Sequence, residues 1–222
     1  MKKAFAVLNV LMFAAMAFGI SRYDAVRGLE LKAMISSTFV LFGAVNALYA
    51  LLARVPKRYP LAIWAGLILS MLGDVTLGFS LYLGAGLFAL GHGMYVIAFS
   101  GLERLCRRDI LISAAIFAGA AAFLLLYSAF RFDGAAMKGV SMAYALVISC
   151  MTGKAVSNFA GERSGLHALI MAAALLFFFS DLMLALVFFA GAPRIADTLC
   201  LYTYYPAQAL LAHSIYHFAN RQ

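Results

Sequence analysis

Apolar residues dominate eight stretches of the chain, over about 4–20, 32–53, 61–79, 82–101, 110–130, 137–156, 167–190 and 199–218, and charged residues gather in the short connections between them. Each stretch is close to the roughly 20 residues a helix needs to cross a bilayer core about 30 Å thick. The period-two alternation of a membrane barrel is absent, and a backbone in lipid must otherwise pair its polar groups within one helix. The pattern predicts an all-α polytopic membrane protein with eight transmembrane helices, forming one integral membrane domain over 1–222. Pro56, Pro60 and Pro193 fall in connections, where a missing amide does no harm. Pro206 falls inside the eighth stretch and is expected to kink it near Tyr202. Such a kink either opens a polar pocket beside Tyr204, Tyr205 and Gln208 or serves packing alone.

Composition agrees with the pattern. The chain is 65% hydrophobic and 12% charged, with a mean hydropathy of +0.95, whereas a soluble domain is about half apolar and about a quarter charged. The net charge of +8 does not point to nucleic acid, because the basic residues sit in short clusters and no basic face with interleaved aromatics exists. Numbering the connections from the N-terminus puts eleven Lys and Arg on the side of the termini and six on the other. Positive residues favour the cytoplasm, so both termini are expected inside, in a bacterial inner membrane. The first stretch follows Lys2 and Lys3 and contains Ala15-Met16-Ala17, which resembles a secretory signal; its apolar run of about 17 residues favours an uncleaved first helix. Cys106, Cys150 and Cys200 have no paired spacing and read as buried, inert thiols.

Against this background two aspartates stand out: Asp74 in the segment LSMLGDVTLGF and Asp181 in FFFSDLMLALVFF. A carboxylate at membrane depth costs several kcal/mol unless it meets a partner, a proton or a water-filled cavity. Each follows a small residue, Gly73 or Ser180, and precedes an aliphatic run. The two lie 107 residues apart, which hints at two parallel four-helix halves, 1–105 and 106–222.

A rise of about 1.5 Å per residue converts position into depth. Asp74 falls in the outer third of its span and Asp181 somewhat below the outer end of its own. Lys32 begins the second span on the outer side, with Ser36 and Ser37 about a turn deeper. Tyr204, Tyr205 and Gln208 reach similar depth from the eighth span, and Tyr144 lies in the outer half of the sixth. His92 sits near the middle of the fourth, with Tyr95 one turn inward. Shared depth implies one cavity near the outer leaflet, with the convergence of groups expected of a binding or catalytic site. Each residue also has a structural reading: interhelical hydrogen bonds for the acids and His92, and snorkelling to headgroups for Lys32. His213 and His217 are spaced for a metal but lack a third ligand at their depth, so no metal and no cofactor are expected.

Taken in order, these residues resemble the YhhN-like lysoplasmalogenase family of integral membrane hydrolases. The likeness is carried by Lys32 with the serines after it, Leu72-Gly73-Asp74, Gly91-His92 with Tyr95, Tyr144, Phe179-Ser180-Asp181, and Tyr204-Tyr205 with Gln208. It spans nearly the whole chain, and its order and spacing matter more than any one motif. The resemblance implies about eight spans, a lysophospholipid substrate drawn from membrane lipid, and hydrolysis of the vinyl ether bond of lysoplasmalogens to a fatty aldehyde and a glycerophospho-headgroup.

That chemistry suits two buried carboxyls. Protonating the β-carbon of a vinyl ether generates an oxocarbenium ion that water captures. One carboxyl must hold a proton at neutral pH, as burial allows, and the other should stay ionised, much as paired carboxyls serve glycosidases. Asp74 and Asp181 are expected to divide these roles in either order, with His92 or a tyrosine holding water and Lys32 meeting the lipid phosphate. Two other classes use the same residues: a proton-coupled lipid or small-molecule transporter or flippase, and a metal-dependent intramembrane hydrolase.

Overall fold

The computed structural model describes residues 1–221, which form eight α-helices joined by short turns: α1 (Lys2–Val26), α2 (Leu29–Leu52), α3 (Arg58–Thr76), α4 (Leu81–Leu102), α5 (Arg107–Leu126), α6 (Gly134–Gly161), α7 (Gly165–Ala190) and α8 (Arg194–Ala219). Helices α1 to α7 are long and apolar enough to cross a membrane. Helix α8 is as long as α7 but more polar, and thirteen of its residues are buried. It packs against α1, α2, α3 and α7, so its phenols, amide and hydroxyls are screened by protein. Helices α1 and α5 bury only three residues each and form the rim.

Helix ends follow local chemistry. Ser80 caps α4 by accepting from the Leu83 amide, and Ser164 caps α7 through the His167 amide. Helix α6 runs further toward the terminal end than apolarity alone suggests, because Lys154, Ser157 and Asn158 are buried against neighbouring helices. Lys154 donates to Asp109 Oδ2 at 2.9 Å, and Asn158 donates to the Phe99 carbonyl at 2.9 Å. Cys106 does not fit the expectation of buried thiols: it is exposed at the N-cap of α5, in a polar turn where Asp109 accepts from its amide. Cys150 and Cys200 are half-buried.

Both termini share one end of the bundle. Tyr216 donates to the Lys2 carbonyl, Tyr49 to Asn220, and Arg221 to Glu162. At the other end the α1–α2 turn meets the start of α8, where Arg27 pairs with Asp197 and Arg194 donates to the Asp24 carbonyl. Helix α8 runs unbroken through Pro206. Tyr202 is exposed, while Tyr204, Tyr205 and Gln208 lie on the buried face.

The packing repeats itself between halves. Helix α3 packs most extensively on α4, and α7 does so on α8; α4 also packs on α6 as α8 packs on α2. The buried residues of α7, Leu166, His167, Ile170, Ala173, Ala174, Phe177 and Ser180, each lie 107 residues after a buried residue of α3. Asn46 of α2 donates to the Ala212 carbonyl of α8 at 2.9 Å, as Asn158 of α6 does to the Phe99 carbonyl of α4. These correspondences support the proposal of two related four-helix halves in parallel arrangement.

Candidate functional site

Asp74 lies in the last turn of α3 and is 5% exposed. The Lys32 ammonium, from the first turn of α2, stands 2.9 Å from its Oδ1. One turn further along α2, Ser36 donates to Oδ2 at 2.5 Å, and Tyr205 of α8 donates to the same oxygen at 3.1 Å. An ammonium and two hydroxyls, from two helices, thus meet the oxygens of Asp74. That arrangement is what a buried charge requires.

Asp181, on α7, has a different shell. Tyr144 of α6 donates to its Oδ2 at 2.5 Å. His92 Nε2 of α4 lies 2.9 Å from the Tyr144 oxygen and 3.5 Å from the Asp181 oxygen. Because the phenol proton is directed at the carboxylate, Nε2–H is the donor to the phenol oxygen. His92 is fully buried and held edge-on against Phe177 at a centroid distance of 4.6 Å. No Lys or Arg pairs with Asp181 among the described residues. Asp74 therefore has a cation and Asp181 has a phenol–imidazole relay.

Two cavities meet at Asp181. One is a polar pocket whose lining includes Tyr23, Arg27, Lys32, Asp74, Asp181, Asp197, Tyr204 and Tyr205. The other is an apolar cleft between α4, α5, α6 and α7, walled by residues such as Leu81, Leu124, Ala145 and Phe189, with Tyr144 and Asp181 as its polar members besides Ser141. Leu77, Phe88, Asp181 and Leu184 line both. Asp181 is consequently the acid at the junction.

Of the ten residues singled out from the sequence, Lys32, Asp74, Asp181, Tyr204 and Tyr205 line the polar pocket and Tyr144 lines the cleft. Ser36 stands behind Asp74 as a hydrogen-bond partner, and His92 stands behind Asp181 through its hydrogen bond with Tyr144. Tyr95 and Gln208 bond each other at 2.9 Å, and the nearest hydroxyl to Tyr95 is Ser70 at 3.4 Å; neither touches a carboxylate. Lys32 is engaged by Asp74, so it is not a free cation awaiting a phosphate. Ser37 faces outward and bonds back to the Ala33 carbonyl. His213 donates Nδ1–H to Asn9, whose amide is paired with Asn46, so it serves the α1–α2–α8 packing.

Arg27, Asp24 and Asp197 were missing from the sequence expectation. Arg27, in the α1–α2 turn, has φ of 54° and reaches Asp24 at 2.5 Å, Asp197, and Thr198 at 3.3 Å. Burial works against its charge, but the Asp24 hydrogen bond and the Asp197 charge outweigh it and hold the guanidinium above its usual range. Its far partners lie 170 and 171 residues away, and no local pattern announces such a contact. The one available signal was the scarcity of acids, nine in all, with Asp24 and Asp197 flanking two connections on one side.

At the opposite end, Glu103, Glu162 and His167 offer oxygen or nitrogen atoms within 4.8 Å of one another, a geometry a metal could use. Glu162 is, however, exposed and paired with Arg221 at 2.5 Å, whose hydrogen bond holds its carboxyl below the usual range. The group reads as an ion-pair network joining the α6–α7 turn to the C-terminus.

Fold and site define a polytopic α-helical membrane protein with two aspartates lining one pocket, Asp74 buried and Asp181 partly exposed where that pocket meets an apolar cleft. The family model described as the YhhN family matches residues 34–215, and the chain belongs to that family. No curated protein and no solved structure matches it.

Proposed function

We propose that this protein hydrolyses the vinyl ether bond of lysoplasmalogens, or of closely similar single-chain ether lysolipids. The observation that carries this reading is the position of Asp181, whose carboxyl borders both a cleft suited to one hydrocarbon chain and a pocket suited to a polar headgroup. A lysolipid has its alkenyl ether at just such a boundary. Membership of the YhhN family supports the reading through the resemblance noted above.

In the proposed reaction Asp181 enters protonated and delivers its proton to the β-carbon of the vinyl ether, leaving an oxocarbenium ion at the α-carbon. Water adds to that carbon while the Asp181 carboxylate takes up the water's proton, giving a hemiacetal and restoring the acid. The hemiacetal collapses to aldehyde as its hydroxyl proton passes to the glycerol oxygen. Tyr144 and His92 hold the Asp181 oxygen in place. Asp74, paired with Lys32, supplies negative charge to the same pocket as the cation develops. With the termini in the cytoplasm, as the charge bias favours, the pocket faces the outer leaflet.

A proton-coupled transporter would use the same acids. Transporter sites are typically built on broken helices, and α7 is continuous through Asp181, which favours the hydrolase. The test is aldehyde release from alkenyl-lysophosphatidylethanolamine by purified protein, with and without EDTA. Aldehyde from the wild type that survives EDTA and vanishes in Asp181→Asn is expected. A folded wild type that releases none from any alkenyl lysolipid refutes the proposal and turns attention to proton-driven transport in proteoliposomes.

A further inference from the structure

The mouth of the polar pocket carries an ion-pair arrangement that the reaction does not use. Arg27 lines the pocket, and its guanidinium is shared between Asp24, from its own turn, and Asp197, from the first turn of α8. Side-chain exposures are 23% for Arg27 and 45% for Asp197, so the Arg27–Asp197 half of the arrangement is open to solvent. The pairing with Asp24 is local, three residues apart in sequence. If Asp197 lets go, Asp24 still fixes the guanidinium. Arg194 donates to the Asp24 carbonyl at 3.1 Å, which ties the two turns together independently of Asp197.

Lys32, the other cation of the pocket, is held by Asp74 deeper inside. An arriving phosphate therefore finds one guanidinium whose exposed partner it can replace. The two non-bridging oxygens of a phosphodiester offer two-pronged acceptance that the planar arginine fork matches well. Displacement would leave Asp197 uncompensated, so a ligand that also brings a cation a few ångströms from its phosphate restores both charges.

We propose that Arg27 and Asp197 form the headgroup-recognition pair of this site, opening to exchange their mutual ion pair for the phosphate and the ammonium of a zwitterionic lysophospholipid. Arg27 takes the phosphate, Asp197 takes the ammonium, and Asp24 keeps Arg27 in register. This assignment rests on the lysolipid reading of the site but not on the cleavage step. The pair sets headgroup preference by exchange of charges, and it excludes lipids with phosphate but no cation by leaving Asp197 facing it unpaired.

Binding of non-cleavable 1-O-alkyl lipids to the intact protein in detergent tests this apart from catalysis. Three probes share one chain: alkyl-glycerophosphoethanolamine, alkyl-glycerophosphate and alkylglycerol. Wild type is expected to prefer the zwitterion. Arg27→Gln should weaken both phosphate-bearing probes by about tenfold or more, as loss of a charged hydrogen bond implies, and alkylglycerol much less. Asp197→Asn, which leaves the Arg27–Asp24 pair intact, should weaken the zwitterion while leaving or improving the phosphate-only probe. Should Arg27→Gln not fold, the Asp197→Asn preference decides alone. Equal effects of either variant on all three probes would mean a merely structural clasp and would overturn the proposal. Chain-free glycerophosphoethanolamine should compete poorly; competition equal to that of the lipid would reassign the pair to a soluble phosphodiester and overturn it as well. Zwitterion preference with the predicted variant pattern but no aldehyde from alkenyl lipids would uphold this recognition pair and refute the hydrolase reading alone.

Discussion

The ammonium of Lys32 lies 2.9 Å from the carboxylate of Asp74, with side-chain exposures of 21% and 7%. Removing one partner of a buried ion pair leaves the other charge unmatched, which typically costs about 3–5 kcal/mol, whereas removing both is far milder. Lys32→Met should therefore lower the thermal midpoint in detergent sharply, and Lys32→Met combined with Asp74→Asn should recover much of the loss. Additive losses in that double-mutant cycle would mean that the pair contributes nothing as a pair.

Asp181 depends on a phenol instead. Tyr144→Phe removes the 2.5 Å donor and separates His92 from the carboxylate relay while keeping the ring. Tyr144 positions the acid rather than moving the proton, and a hydrogen bond to a charged group is worth about 1.5–3 kcal/mol, so aldehyde release should fall by about tenfold to a hundredfold with KM little changed. Unchanged kcat in a folded variant would remove Tyr144 from the chemistry.

The apolar cleft predicts a chain-length dependence. Ala145 and Ala185 line it with small side chains, and a buried CH2 is worth about 0.8 kcal/mol, close to fourfold in affinity. Ala185→Phe should shorten the longest chain that still gains kcat/KM, measured over a homologous series of alkenyl lysolipids. An identical chain-length profile would mean that the hydrocarbon lies elsewhere.

Much of this architecture was legible because lipid permits few solutions. Eight apolar runs between basic clusters could hardly be anything but eight helices, and an acid inside such a run had to find a partner. Asp74 and Asp181 could be picked out for that reason, and depth counting brought Lys32, Tyr205 and Tyr144 to the right level. Depth does not tell which way a side chain turns. Tyr95 and Gln208 share the span positions of a site residue, yet their helices rotate them toward each other. Ser37 differs from Ser36 by one position and faces the other way. Polarity within α8 could not be read as interior or exterior from its own sequence, since the answer lies in the four helices around it. The Arg27–Asp197 pair was hidden for the same reason: it joins the first and last turns at the end of the bundle opposite the termini, and an isolated arginine in a connection looks like ordinary topology.

Close packing between α5 and α6 gives a last prediction, independent of any function. Gly153 of α6 faces Ser113 of α5 so closely that an added Cβ would stand 2.7 Å from the Ser113 Cα and 2.7 Å from its backbone nitrogen. Those are backbone atoms and cannot swing aside, so relief requires the two helices to separate. Small residues at such crossings are what allow membrane helices to approach, and overpacking usually costs about 1–3 kcal/mol. Gly153→Ala should lower the thermal midpoint in detergent, whereas Gly119→Ala on α5, where an added Cβ meets nothing within 4 Å, should leave it unchanged or raise it slightly. The α5–α6 pair also forms one wall of the apolar cleft through Leu124 and Ala145. Helix separation at Gly153 should therefore widen chain-length tolerance even where the protein stays folded. Equal midpoints for the two alanine variants would show that the crossing has more slack than its geometry indicates.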